Sequence, residues 1–200
     1  MLFFTSDWHF NHDKEFVWKK RGFSSVDEMN EEIVRRHNEV VTENDIVYFL
    51  GDACLGGASE EILKKNCELI ERLNGNIVML RGNHDTDTRI AAFKNCKNVL
   101  NVGEIAKIIN YDGYRLYVGH YPTVTGSYDD KALKGCLISL FGHTHQEGNF
   151  FSFDGRENPI MYHVGVDSHN CYPVKITDIL KEITEKFYGE GLEEQKNVAL

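Results

Sequence analysis

Short apolar runs that stop abruptly at polar turns constrain this chain more than any other feature. The first, Leu2-Phe3-Phe4, gives way to Thr5-Ser6-Asp7-Trp8-His9. A second, over residues 45–50, is halted by Gly51-Asp52, and a third, Ile77-Val78-Met79-Leu80, by Arg81-Gly82-Asn83-His84-Asp85. Continuous apolar runs of this length are the pattern of strands covered on both faces. Between them the spacing turns helical. Ser25-Val26-Asp27-Glu28 has the form of a capping box, and it opens a helix carrying Met29, Ile33, Val34, Val40 and Val41. A second helix is expected over residues 59–73, with Ile62, Leu63, Ile70 and Leu73 inward. Strand, polar turn and helix in repetition imply parallel β-α-β units.

The later half changes character. Residues 102–109 and 114–118 read as strands flanking Asp112-Gly113, a hairpin turn signal. Further apolar runs lie at 137–141 and 149–153, with a strand expected over 160–164. A last helix over 178–187 places Ile179, Leu180, Ile183 and Phe187 on one face. The fold class is therefore α/β: one domain over residues 1–188 with a mixed sheet or two facing sheets. Residues 189–200 form a polar C-terminal tail, expected to fray. A chain of 200 residues can bury a single core of this kind.

Charge and cysteine usage narrow the classes of function. A net charge of −9 argues against a broad footprint on nucleic acid. No window approaches the roughly 18 apolar residues of a membrane span, and the apolar N-terminal stretch is too short for a signal peptide. Cys54, Cys67, Cys96, Cys136 and Cys171 are scattered and show no C-x-x-C spacing. They read as thiols of a reducing compartment, and the expected location is the cytoplasm without a membrane partner.

The carboxyl ends of strands in such a sheet converge on the usual crevice for ligands. Two later runs end in the same way, at Gly119-His120 and at Gly142-His143-Thr144-His145. A single Asp or His at a strand end is an ordinary turn residue. Of the nine histidines, however, five (His9, His84, His120, His143, His145) stand at these ends, which points to a shared site. Asp, Asn and His offer oxygen and imidazole donors suited to divalent Mn, Fe, Co, Ni or Zn, with no thiolate required.

The series Asp7-x-His9, Gly51-Asp52, Gly82-Asn83-His84-Asp85, His120 and Gly142-His143-x-His145 resembles the calcineurin-like metallophosphoesterase superfamily. Its blocks run D-x-H, GD, GNH[DE], H and GHxH, and here they span residues 7–145 in that order. The resemblance implies a two-sheet β-sandwich flanked by helices, of the metallo-dependent phosphatase type. It implies two divalent metal ions, one held by Asp7, His9, Asp52 and His145 and the other by Asp52, Asn83, His120 and His143. Asp52 is then the shared bridge, and a metal-held hydroxide hydrolyses a small phosphate ester by in-line attack. His84 is implied as the catalytic residue, a proton donor or charge stabiliser at the leaving group.

His12, Arg81 and Tyr121 are candidate substrate contacts. A helix-starting histidine and a surface ion pair are equal readings for the first two. Lys19-Lys20-Arg21 is read as a solvated charge run, with contact to an anionic substrate as the alternative. His37 is expected on a helix face, and a structural role is expected of His163, His169 and Cys54. The resemblance breaks after Gly51-Asp52, where Leu55 stands in place of the second Asp of the protein phosphatases and their Arg is missing. That argues against the protein phosphatase branch and deprives His84 of its usual acidic partner, with Asp85 or substrate phosphate as replacements. A phosphodiesterase is preferred, because a weak general acid matters less for a good leaving group. The alternatives are a phosphomonoesterase on a small metabolite or nucleotide, a compact nuclease disfavoured by acidity, and a non-catalytic metal-binding scaffold. The walls of the pocket are expected from loops such as residues 10–24 and 123–134.

Overall fold

The computed structural model describes residues 1–125, 133–151 and 160–189. Strands β1 (Leu2–Thr5), β2 (Ile46–Phe49), β3 (Asn76–Leu80) and β4 (Val99–Glu104) pair in parallel, joined by α2 (Val26–Val40), α3 (Glu60–Glu71) and α4 (Asp87–Phe93). A short β9 (Val174–Lys175) adds antiparallel to β1, giving the order β4-β3-β2-β1-β9. The second sheet has the order β5-β6-β7-β8, from Ala106–Tyr111, Tyr114–Gly119, Leu137–Phe141 and Met161–His163. A one-turn helix α1 (Glu15–Trp18) follows β1, and α5 (Ile176–Tyr188) ends the described chain.

Strand alternation sorts the apolar residues into two cores. Phe3, Val47, Phe49, Ile77 and Met79 face Met29, Ile33, Ile70 and Phe93 of the helices, whereas Phe4, Leu50 and Leu80 face the second sheet. Leu116, Val118, Ile138, Leu140 and Tyr162 fill that second core, and α5 closes it with Ile176, Ile179 and Ile183. The expected helix starts hold where a side-chain cap forms: Ser25 accepts from the Glu28 amide and Ser59 from the Ile62 amide.

Two expectations need correction. Residues 102–109 are not one strand. The chain leaves the first sheet at Glu104 and enters the second at Ala106, with exposed Ile105 between and Gly103 at φ +106° just before. Apolar spacing continues across this crossover, because each half faces its own core. Phe150 makes only an isolated bridge to Tyr162, and residues 152–153 lie outside the described residues. The last helix begins at Ile176 rather than at 178, and α1, α4 and β9 had no clear signature. Nearly all of the predicted tail, residues 190–200, also lies outside the described residues. No helix among the described residues is long and apolar enough to cross a membrane.

Candidate metal centre

The five strand-end blocks meet at one edge of the two sheets. After β1 the chain bends twice, with Asp7 at φ 60° and His9 at φ 51°. Trp8 between them turns into the core and stacks on Phe49 with ring centroids 3.8 Å apart. The middle residue thus anchors the turn, and its neighbours are left facing the crevice. Asp52, His143 and His145 also sit at positive φ, of 63°, 67° and 49°. Left-handed backbone is costly away from glycine and concentrates where a site over-determines the chain.

Close approach explains two glycines. A Cβ on Gly82 would lie 2.2 Å from Asp52 Oδ1, and one on Gly142 would lie 2.2 Å from Ser6 Oγ and 2.4 Å from Asp7 Oδ2. Asp85 ties two turns together. Its buried carboxylate accepts from the amides of Asp52 (2.7 Å), Gly82 (2.9 Å) and Ala53 (3.1 Å). Asp85 is thereby engaged away from the His84 ring, so the sequence-based suggestion that it replaces the missing acidic partner is not met.

Each carboxylate at the centre accepts hydrogen bonds from the protein and turns one oxygen toward the histidines. Asp7 Oδ2 accepts from Ser6 Oγ (2.5 Å) and the His143 amide (2.9 Å), while Oδ1 lies 3.9 Å from both His9 Nε2 and His145 Nε2. Asp52 Oδ1 accepts from the His84 amide (2.8 Å), while Oδ2 lies 3.4 Å from His120 Nε2 and 3.8 Å from His9 Nε2. The ring nitrogens of these histidines are packed against one another. His9 Nε2 lies 3.2 Å from His145 Nε2, and His120 Nε2 lies 3.2 Å from His143 Nδ1 and 2.9 Å from Asn83 Oδ1.

This donor set fits cations. His120 Nδ1 faces the Leu50 carbonyl at 2.9 Å, so it carries the proton, and Nε2 is an acceptor surrounded by acceptors. Burial opposes a charge on His120, yet Asp52 and the charge of Asp7 outweigh it and raise its pKa. Burial drives the Asp7 carboxyl up despite the charges of His120 and His145. Burial, then the charge of Arg21, pushes His9 down to about 2, which keeps its ring neutral as a ligand must be. Two compact groups can each surround one ion: Asp7, His9 and His145, and Asp7, Asp52 and His120.

The His84 side chain is 45% exposed at the mouth, its Nε2 3.9 Å from Asp52 Oδ2. His12 lies beside the centre, its ring centroid 5.5 Å from that of His9. Tyr121 is exposed and meets the His143 ring edge-on at 4.8 Å. Arg81 is paired with Asp87 at 2.6 Å, the surface ion pair that was its other reading. His37, His163 and Cys54 are buried and belong to neither compact donor group.

The sequence profile of calcineurin-like phosphoesterases matches residues 2–147. The chain belongs to the calcineurin-like phosphoesterase family. It is accordingly a metal-dependent phosphoric ester hydrolase. This phosphoesterase is 34% identical over 187 residues to an uncharacterized protein of Methanocaldococcus jannaschii, with 92% of each chain covered. Among solved structures, a protein of unknown function from Aquifex aeolicus is similar at 20% identity, with a TM-score of 0.65 over 91% of this chain and 98% of that one. A novel archaeal phosphodiesterase is similar at 17% identity, with a TM-score of 0.40 over 82% and 81% of the two chains.

Sequence reading of the phosphoesterase missed three supporting residues. Asp167 Oδ2 lies 2.7 Å from His145 Nδ1, and Arg21 grips the same carboxylate with Nε and Nη2, each at 3.0 Å. Arg21 also donates to the carbonyls of Asp7 (2.8 Å) and Trp8 (3.0 Å), so it is a buried brace rather than part of a solvated run. Burial opposes the Asp167 charge, but His145 and Arg21 hold its carboxyl well below the usual range. Gly165-Val166-Asp167 after β8 repeats the strand-end pattern, and that signal was available in the sequence. Buried Arg89 of α4 donates to the carbonyls of His84 (2.5 Å) and Gly56 (2.7 Å), fixing the turn that carries His84.

Proposed function

We propose that this phosphoesterase hydrolyses a small phosphodiester with two divalent cations. One would be held by Asp7, His9, Asp52 and His145, the other by Asp52, Asn83, His120 and His143. The observation that carries the reading is the position of one oxygen. Asp52 Oδ2 faces both histidine pairs, whereas the second oxygen of each carboxylate is occupied by backbone amides or Ser6. Asp7 belongs to both compact groups, yet both of its oxygens accept from the His143 amide, at 3.2 and 2.9 Å, and its Oδ1 lies beside the His9–His145 pair. Asp52 is the proposed bridge, a role for which a single oxygen suffices.

Divalent cations, when bound, supply positive charge against phosphoryl oxygens and ionise water near neutral pH. The protein's own groups set orientation. The Leu50 carbonyl fixes the His120 tautomer and Asp167 fixes that of His145, which leaves Nε2 of each ring facing the centre. His84 stands on the open side, where it can donate to the departing oxygen or to the phosphate. No carboxylate orients its ring at hydrogen-bond distance among the described residues, and Asp52 is 3.9 Å away. A weakly supported acid suits ester groups that leave readily, which favours an acidic leaving group and a diester over an alkyl monoester.

Turnover of bis-p-nitrophenyl phosphate and p-nitrophenyl phosphate by chain loaded with Mn, Fe, Co, Ni or Zn tests this reading. Faster diester hydrolysis, abolished by chelation, is expected. A faster monoester would reverse the preference, and no turnover with any metal would favour the non-catalytic scaffold. Asp167→Asn should lower metal affinity by roughly 10–100-fold, because His145 loses the partner that orients it and raises its basicity. Chelator competition measures this, and unchanged affinity would reduce the Arg21–Asp167 pair to a structural brace.

A further inference from the structure

A cleft of about 460 Å³ opens beside the centre, with His9, His84 and His145 on its floor. Its outer wall is the α1 segment, through His12, Phe16 and Lys20, spaced four residues apart. Phe16 is 72% exposed, a large aromatic ring held open to solvent at the mouth. A scattered exposed apolar residue is ordinary, but this one sits on a cleft that leads to the reacting centre. Ring contacts run inward without a break: Phe16 meets the His12 ring edge-on at 5.8 Å, and His12 lies 5.5 Å from His9.

The wall is anchored. Trp18 is buried in the helix-side core, and Arg21 is fixed to the carbonyls of Asp7 and Trp8. Lys20 Nζ donates to the His145 carbonyl at 2.9 Å, which holds a cationic group at the edge of the cleft. Apolar Phe16 and Val17 line the same space. The volume lies in the range of small-molecule sites and exceeds what a phosphate group alone requires. An aromatic face, a cationic rim and a phosphate-seeking floor in one cleft select a ring attached to a phosphate.

We infer that the α1 cleft is a subsite for a planar aromatic ester group of the substrate, stacked on Phe16. The inference rests on the phosphoester-hydrolase reading of the neighbouring centre and adds the class of group beside the phosphate. An aryl ester and a nucleobase share this chemistry. A polymer is not required, and the net charge of −9 disfavours one.

Calorimetric titration of the Mn-loaded full chain with methylphosphonate, phenylphosphonate and a nucleoside 5′-phosphonate tests the subsite without relying on turnover. The aromatic members should bind about tenfold tighter than methylphosphonate, the scale of one stacking contact. Phe16→Ala should erase that preference, and Phe16→Tyr should keep it. Tighter nucleoside than phenyl binding would identify a nucleotide ester, and the reverse an aryl ester. Equal binding of methyl and phenyl compounds by the wild type, or a preference that survives Phe16→Ala, overturns the subsite while the metal-centre reading stands. If no phosphonate binds to metal-loaded chain, the reading of the centre itself fails and the subsite with it.

Discussion

Asp52→Asn is expected to strip the centre of metal and to cut phosphodiester turnover by at least ~100-fold, the upper range for losses in a ligand sphere. The substitution keeps the side-chain shape, and the amide oxygen can still accept from the His84 backbone, so the turn itself should survive. What disappears is the anionic oxygen that faces His9 at 3.8 Å and His120 at 3.4 Å. That oxygen is held in its charged form. Burial resists the charge, but the neighbouring His120 ring and the His84 amide bring the Asp52 pKa down to about 2. Elemental analysis of the purified variant beside its circular dichroism would check the prediction. Two metals still bound with near-normal turnover would remove Asp52 from the bridging role.

His84→Ala is expected to behave in the opposite way, retaining metal and losing rate. Turnover of esters with alkoxide leaving groups should fall by about 10²–10⁴-fold, the span attributed to a positioned general acid. The loss should be smaller for p-nitrophenyl esters, whose leaving group departs without a proton. The fold should be little disturbed, since the ring is half exposed and it is the backbone of His84 that bonds to Asp52 and Arg89. Equal losses for both leaving-group types would make His84 a phosphate binder that transfers no proton in the slow step. Loss of metal would show that it is a ligand after all.

The motif positions were legible because each block is local. A strand end, a glycine and an Asp or His stand within a few residues of one another, and the αL turns at Asp7, His9, Asp52, His143 and His145 are built from neighbours in sequence. The same holds for α2 and α3, whose caps and apolar faces lie within one segment. The resemblance of those blocks to a known family carried the ligand set further than spacing alone, and the structure brings all seven of its residues to one crevice.

What the chain order could not decide was how distant segments meet. Arg21 and Asp167 are 146 positions apart, and only the meeting of the turn after α1 with the loop after β8 turns one charge of an apparent surface run into a buried brace for His145. Asp85 has a conspicuous place beside His84 in sequence, yet the fold commits its carboxylate to the amides of Asp52, Ala53 and Gly82. Residues 102–109 read as one apolar run, yet the chain passes there from one sheet to the other. Sequence therefore determined which residue types can bind metal and roughly where each turn lies, since backbone bends and donor chemistry are local properties. Tertiary structure decided which oxygen faces both histidine pairs, which cation is buried and which ring lines the cleft. Those outcomes depend on desolvation and on distances between segments that have no fixed relation until the two sheets close.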